Sequence, residues 1–214
     1  MKSLMAGAAV ALATAAASGT AGAAPCATTV LSNWLVAGFS CTVTTNGVTD
    51  TFSNFSYSPD GLNVPATNVG VGPSATTAGP GLLFNALWQN TGTTPLDAIL
   101  NFTVTAPAPG ITQADLLLDG VLGSVLDVES LVANGVTISS SDNALHTSPV
   151  FAAITTTQVR DDIGVNPGGT ISSIDKQFLT SAPPPPMPEP ASLAILGTAL
   201  VGLGLLGWRR RKAA

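Results

Sequence analysis

Positive charge is almost missing from the central part of this chain. Charged residues make up 9% of its 214 residues, and five of the seven lysines and arginines lie near the two ends. Between residues 24 and 187 the only cations are Arg160 and Lys176, against eleven acids, so this segment carries a net charge of −9. A surface of that sign repels nucleic acid and anionic lipid. Nucleic-acid binding is therefore excluded.

Residues that carry catalysis are equally scarce. The chain has one histidine, His146, and it contains neither a Gly-x-Ser-x-Gly nucleophile elbow nor a phosphate-binding loop. Asp142 and the serines 139–141 stand close to His146, but neighbours in sequence seldom form a hydrolase triad. We therefore predict a protein that is not an enzyme, with no catalytic residues, no metal and no cofactor.

Cysteine is limited to Cys26 and Cys41. An even count in an exported protein favours a disulfide, and the loop closed between them would contribute roughly 3 kcal/mol in the chain-entropy model. The alternative, a pair of metal thiolates, lacks partners because zinc sites take four ligands. The sequence predicts a disulfide between Cys26 and Cys41.

The first 23 residues have the composition of a signal peptide. Lys2 provides the positive start, residues 4–17 are a short apolar run, and Ala21 and Ala23 are small residues at the positions that signal peptidase reads. Cleavage after Ala23 would leave residues 24–181 as an exported domain. An uncleaved membrane anchor is the alternative, although the apolar run is short for a membrane span.

The C-terminal end has three parts in a fixed order. Residues 182–190 are a Pro-rich spacer that ends in Pro188, Glu189 and Pro190. Residues 191–208 are 18 residues without a charge, enough for a helix that nearly spans a membrane. Residues 209–214 form a basic tail, which is expected to stay in the cytoplasm; its arginines are Arg209, Arg210 and Arg211.

This order resembles the PEP-CTERM sorting signal of Gram-negative bacteria. The resemblance implies recognition of Pro188, Glu189 and Pro190 by an exosortase, a membrane-embedded protease-transpeptidase, and a final location at the cell surface or outside the cell after an inner-membrane intermediate. Met187 stands where such signals often have Val. The alternative is an ordinary C-terminal membrane anchor. Proteins sorted in this way accompany extracellular polysaccharide, which implies a role in the biofilm matrix.

The exported domain has the pattern of an all-β protein. Asn46-Gly47 separates two β-branched runs and predicts a hairpin with a type I′ turn. Alternating apolar residues predict strands over 82–88, 99–105, 150–159 and 171–179, and residues 65–80 are predicted to be a loop. Residues 112–132 fit either a helix or two strands around Asp119-Gly120, and we favour strands because Gly120 and Gly123 would weaken a helix. About ten short strands predict a two-sheet sandwich or a jelly-roll-like domain.

Two groups of residues bear on a second hypothesis, a surface-displayed module that binds polysaccharide or calcium. Calcium takes six to eight oxygen ligands, but we expect the acids to form a solvated surface. Sugar binding would use exposed aromatic rings, but we expect the aromatic candidates to pack inside. The acids are Asp115, Asp119, Asp127, Glu129, Asp161 and Asp162, and the aromatic candidates are Trp34, Tyr57 and Trp88.

Overall fold

The computed structural model describes residues 23–76 and 78–180. Over these residues the chain is built from strands and two short 3-10 helices, Leu31–Asn33 and Ala66–Asn68. In chain order the strands are β1 (Ala24–Pro25), β2 (Thr29–Val30), β3 (Ser40–Thr45), β4 (Val48–Ser58), β5 (Gly70–Pro73), β6 (Gly81–Gln89), β7 (Leu96–Thr105), β8 (Ile111–Asp119), β9 (Val125–Leu131), β10 (Val136–Ser141), β11 (His146–Thr147), β12 (Val150–Ile154), β13 (Thr156–Val165) and β14 (Thr170–Thr180).

The strands form two sheets that pack face to face, so the predicted two-sheet sandwich is confirmed. Sheet A has the order β1-β3-β4-β7-β13-β9-β10, and sheet B has the order β11-β8-β14-β6-β5-β2, with β12 also paired to β8. Apart from the parallel pair of β1 and β3, neighbouring strands run antiparallel. Strands β13 and β14 follow each other in the chain but lie inside different sheets.

Local sequence signals position the hairpins as expected. Asn46 and Gly47 have φ of 53° and 79°, the positive values that a type I′ turn requires between β3 and β4. Residues 112–132 form strands on both sides of Gly120, which has φ of 61°. Two expectations were wrong: residues 65–80 contain a 3-10 helix and β5, and residues 150–159 belong to two strands, β12 and the start of β13.

The core lies between the sheets and is rich in phenylalanine. Phe52 and Phe102 from sheet A pack against Phe178 from sheet B, with ring centroids 6.0 and 6.1 Å away from it. Phe84 of sheet B also lies 6.2 Å from Phe102. Aromatic pairs at this separation contribute about 0.5–1.5 kcal/mol beyond the area that they bury. These contacts hold the two sheets against each other.

The N-terminal edge of sheet A is closed covalently. Cys26 and Cys41 form the disulfide that the sequence predicts, with their Cα atoms 4.8 Å apart. The Cys26 backbone N–H also donates a hydrogen bond to the Thr42 carbonyl at 2.9 Å. The bond therefore fastens the short strand β1 to β3, which it pairs with in parallel.

Candidate functional site

Four charged side chains meet inside the core, and the strand pattern explains why. Strand β9 alternates so that Asp127 and Glu129 share the inner face of sheet A with buried Val125 and Leu131. In β13, Asp161 is the register partner of Glu129, so its side chain points the same way.

The fourth charge comes from the opposite sheet. Lys176 lies on β14 between its register partners Leu116 and Leu82, both of which are fully buried. Its side chain extends from the inner face of sheet B towards the three carboxylates of sheet A. We call these four residues the Lys176 cluster: Asp127, Glu129, Asp161 and Lys176.

The distances in the Lys176 cluster are those of direct ionic contacts. The Lys176 Nζ lies 2.6 Å from Asp161 Oδ1 and 3.1 Å from Glu129 Oε2, and it donates a hydrogen bond to each. Asp127 Oδ2 lies 3.5 Å from the same nitrogen. All of these side chains are 0% exposed. One ammonium group is therefore shared by three carboxyl groups without access to solvent.

Three carboxylates and one ammonium would leave a net charge of −2 in the core. Removing a charge from water costs several kcal/mol, so a group in such a place takes up a proton instead. Burial, followed by the charge of Asp161, raises the pKa of Asp127 well above its ordinary value, and burial raises the pKa of Glu129 to about 7. Burial alone would lower the pKa of Lys176, but the charges of the three carboxylates outweigh it and raise that pKa.

Asp127 Oδ2 and Asp161 Oδ1 both contact the Lys176 Nζ, so the two carboxyl groups lie close enough for the charge of Asp161 to raise the pKa of Asp127. At neutral pH the smallest charge is reached when Asp127 is protonated and Asp161 is paired with Lys176. Glu129 then exchanges a proton close to pH 7. The net charge of the Lys176 cluster therefore depends on pH near neutrality.

The expectation of a solvated acidic surface was wrong for Asp127, Glu129 and Asp161, which are 0% exposed. It holds for Asp119, which is exposed. The burial of these acids could have been recognised from the alternation of β9, because Asp127 and Glu129 lie two and four residues after Val125 and therefore on the same face of the strand.

A second polar group covers the outer face of sheet B. Ser74 Oγ donates to Asp175 Oδ2 at 2.9 Å, and Gln177 Nε2 donates to Asp175 Oδ1 at 3.3 Å. Gln177 is the register partner of Asp115, so Asp115 lies on the same face. Burial raises the pKa of Asp175, and the hydrogen bonds from Ser74 and Gln177 oppose that rise. Gln177 is buried, with 5% of its surface exposed, and its Oε1 has no hydrogen-bond partner.

His146 belongs to this outer face and not to a triad with Asp142. Its Nε2 lies 3.9 Å from Asp115 Oδ2, and 56% of its side chain is exposed. Among the nearby serines, Ser140 is buried and its hydroxyl donates to the Leu116 carbonyl at 3.0 Å. The structure does not bring His146, Asp142 and the serines 139–141 together as a chain of hydrogen bonds among the described residues.

The three aromatic candidates lie inside, as expected. Trp34 and Trp88 are 2% and 1% exposed, and Tyr57 is half-buried, where it accepts a hydrogen bond from Trp88 Nε1 at 3.3 Å. Trp34 and Trp88 are therefore too deeply buried to stack on a sugar. Within residues 23–76 and 78–180, no group of three or more His, Cys, Asp or Glu side chains is arranged to hold a metal ion.

The remaining predicted sites lie near the two ends of the chain. Four predicted segments lie outside the described residues: the signal peptide with Ala21, the spacer with Pro188, Glu189 and Pro190, the apolar segment 191–208, and the tail with its arginines. In the described part of the chain, no helix has the length and apolar character needed to cross a membrane.

The fold and the C-terminus together define a class: a β-sandwich protein with a sorting signal. Residues 188–212 match the PEP-CTERM protein-sorting motif. The chain therefore carries a PEP-CTERM signal, which implies export, membrane-anchored sorting and an exosortase as the processing partner.

Comparison of the whole chain adds little. No curated protein matches it. Among solved structures the chain is similar to TmCBM61 in complex with beta-1,4-galactotriose, with a TM-score of 0.33 and 14% identity over 60% of this chain and 90% of that one. A likeness at this level carries no inference about a ligand of this chain.

Proposed function

We propose that the chain is a non-enzymatic structural protein of the bacterial surface or extracellular matrix, delivered by its PEP-CTERM signal. The observation that carries the proposal is the match at residues 188–212, placed directly after the β-sandwich domain. The disulfide between Cys26 and Cys41 supports export, because such bonds persist in oxidising compartments.

The exported domain is suited to a polysaccharide-rich matrix. Its net charge of −9 keeps copies of the domain apart and soluble. Its phenylalanine-rich core and its disulfide stabilise it outside the cell, where no chaperone refolds it. In this proposal the domain is a component of the exopolysaccharide matrix, and the signal peptide 1–23 and residues 191–208 act before it reaches that place.

The test is the intact mass of the full-length gene product made in a bacterium that carries an exosortase. We expect a mature species that begins at Ala24 and lacks residues 191–214, found at the cell surface or in the medium. Glu189→Ala should leave the tail in place and the protein in the membrane fraction. The matched control is Pro184→Ala, which changes the spacer outside the Pro188-Glu189-Pro190 box and should be processed normally.

Two results would contradict this proposal. One is a wild-type protein that keeps residues 209–214 whether or not the exosortase is present. The other is equal processing of the wild type and the Glu189→Ala variant. Either result would make the tail an ordinary membrane anchor, and the function would then lie at the inner membrane.

A calcium-binding module is the second candidate, and one observation favours it. The Gln177 Oε1 is buried without a partner beside Asp175, on the face that also holds Asp115. Hard cations such as calcium bind carboxylate and amide oxygens. Calorimetric titration of the full chain with calcium should then show binding that Asp175→Asn removes and that Asp142→Asn, in an exposed loop, retains. Absence of heat in the wild type would exclude this candidate.

A further inference from the structure

A nucleophile and an electrophile face each other in the Lys176 cluster. The Lys176 Nζ lies 2.6 Å from Asp161 Oδ1. Because a C–O bond measures about 1.2 Å, the Asp161 Cγ is at most about 3.8 Å from this nitrogen. Reacting atoms held about 3–3.5 Å apart gain most of the advantage of an intramolecular reaction. A small movement of either side chain reaches that distance.

The surroundings exclude water, which is a product of such a reaction. In water an ammonium and a carboxylate stay charged and do not condense. Here the pair is fully buried, and apart from Glu129 the register partners of Asp161 and Lys176 are apolar: Leu100, Leu116 and Leu82. The three carboxylates keep Lys176 protonated although it is buried, so the reaction starts from the ion pair and requires transfer of a proton from Lys176 to a neighbouring carboxylate. The exclusion of water draws an equilibrium that releases water towards the amide.

The neighbouring acids can transfer the protons. Glu129 Oε2 lies 3.1 Å from the Lys176 Nζ and can accept one of its protons. Asp127 Oδ2 and Asp161 Oδ1 contact the same Lys176 nitrogen, at 3.5 and 2.6 Å, so a protonated Asp127 is placed to act as a proton donor to the Asp161 carboxyl group. A buried ion pair is weak evidence for stability, since apolar residues of the same volume often serve as well. The cluster therefore calls for an explanation other than stability of the ion pair.

We propose that Lys176 and Asp161 condense spontaneously to an intramolecular amide, an isopeptide bond, with Glu129 and Asp127 as the proton-transferring groups. The Lys176 Nζ–Asp161 Cγ bond forms and one Cγ–Oδ bond of Asp161 breaks. The ammonium gives up two protons, one of them through Glu129, and both leave with the departing oxygen as one molecule of water. The positive charge of Lys176 and the negative charge of Asp161 disappear together, so charge and atoms balance and no oxidant is needed.

The bond would join the two sheets. Asp161 lies on β13 in sheet A, between β7 and β9, and Lys176 lies on β14 in sheet B, between β8 and β6. The amide would add a covalent link between central strands, whereas the disulfide secures only the edge at β1. This inference does not depend on the sorting signal, and its test does not involve processing of the tail.

The first experiment is a mass measurement on the purified full chain with its disulfide intact. Beyond the two hydrogens lost in the disulfide, the wild type should weigh one water molecule less than its sequence requires. Trypsin then locates the loss, because it cleaves after lysine only when the ammonium is free. The amide predicts a single peptide that spans 161–209 and lacks one water; without the amide, trypsin gives the peptide 161–176 at its full mass.

Three variants make the assignment specific. Lys176→Arg keeps a buried cation but removes the nucleophile, so it should have its full sequence mass. Glu129→Gln removes the proton acceptor, and the fraction of the chain that has lost water should fall at least tenfold after equal times. Asp162→Asn changes a half-exposed acid next to Asp161 and should react like the wild type.

The proposal is overturned if the folded wild type has its full sequence mass after long incubation, or if the water is lost equally from Lys176→Arg. Peptide fragment masses that show Lys176 linked to Glu129 or Asp127 would overturn the assignment to Asp161. The peptide map of the wild type decides the matter by itself, whether or not each variant folds.

Discussion

Asp50 provides a direct measure of what a buried, unpartnered acid does to this fold. It lies on the inner face of β4 beside its register partner Val43, it is 0% exposed, and neither of its carboxyl oxygens has a hydrogen-bond partner. Burial raises its pKa from 3.8 to about 7. The substitution Asp50→Asn keeps the shape of the side chain and removes its titration.

The size of the effect follows from linkage. The pKa of the folded state lies above that of the unfolded state, so the contribution of Asp50 to stability is fully present below about pH 3.8 and is lost as the pH rises through about 7. At about 1.4 kcal/mol for each pKa unit, the loss is about 4 kcal/mol. The asparagine amide has a fixed cost of about 1–3 kcal/mol if its groups lack partners. That cost is the same at every pH.

The measured quantity is the free energy of unfolding in urea at pH 4 and at pH 8, followed by the fluorescence of buried Trp34 and Trp88. We expect the stability of Asp50→Asn relative to the wild type to increase by about 4 kcal/mol from pH 4 to pH 8. The raised pKa values of Asp127 and Glu129 act on both proteins and cancel in this difference. Asp60→Asn, at an exposed site, is the matched control and should show no such change.

A relative stability of Asp50→Asn that is constant between pH 4 and pH 8 would refute the argument. It would mean that the Asp50 carboxyl is solvated or paired in solution.

Two further predictions concern the disulfide and the core. Replacing Cys26 and Cys41 together with alanine should lower the free energy of unfolding by roughly 3 kcal/mol in the chain-entropy model, and reduction of the wild type should have the same effect in a urea titration. Equal stability of oxidised and reduced protein would contradict this. Trp88→Ala should cost about 3–5 kcal/mol through the cavity it leaves, whereas Leu87→Ala, at a residue that is 62% exposed, should cost little. Similar losses in both variants would show that β6 is not packed as described.

Much of the sandwich could be predicted because its signals are local. Asn46-Gly47 requires a hairpin by itself, and the alternation of 99–105 requires a strand with one buried face. Residues 65–80 were harder, because β5 is only four residues long and contains Gly70 and Gly72. Such a segment becomes a strand because β6 and β2 supply its hydrogen bonds, and its own sequence does not reveal these partners.

The Lys176 cluster could not be predicted for a different reason. Whether an acid is buried depends on its partner, and Lys176 is distant in sequence from Asp127 and Glu129. Only the packing of β14 opposite β9 and β13 brings Lys176 into contact with these acids. One clue was available, since Lys176 stands in a strand whose other inward residues, Ile174 and Phe178, are apolar. A cation in such a row needs a buried anion opposite it.

The position of β14 has a mechanical consequence for a protein held by its C-terminal side. Thr180 is the last residue of β14 and leads towards the sorting motif at 188–212. Because β14 is hydrogen-bonded on both sides, to β8 and to β6, a pull on residue 180 loads two ladders in shear. An edge strand such as β2 would instead be peeled off one bond at a time. The fold therefore directs tension from residue 180 into the interior of sheet B, where β8 and β6 share the load.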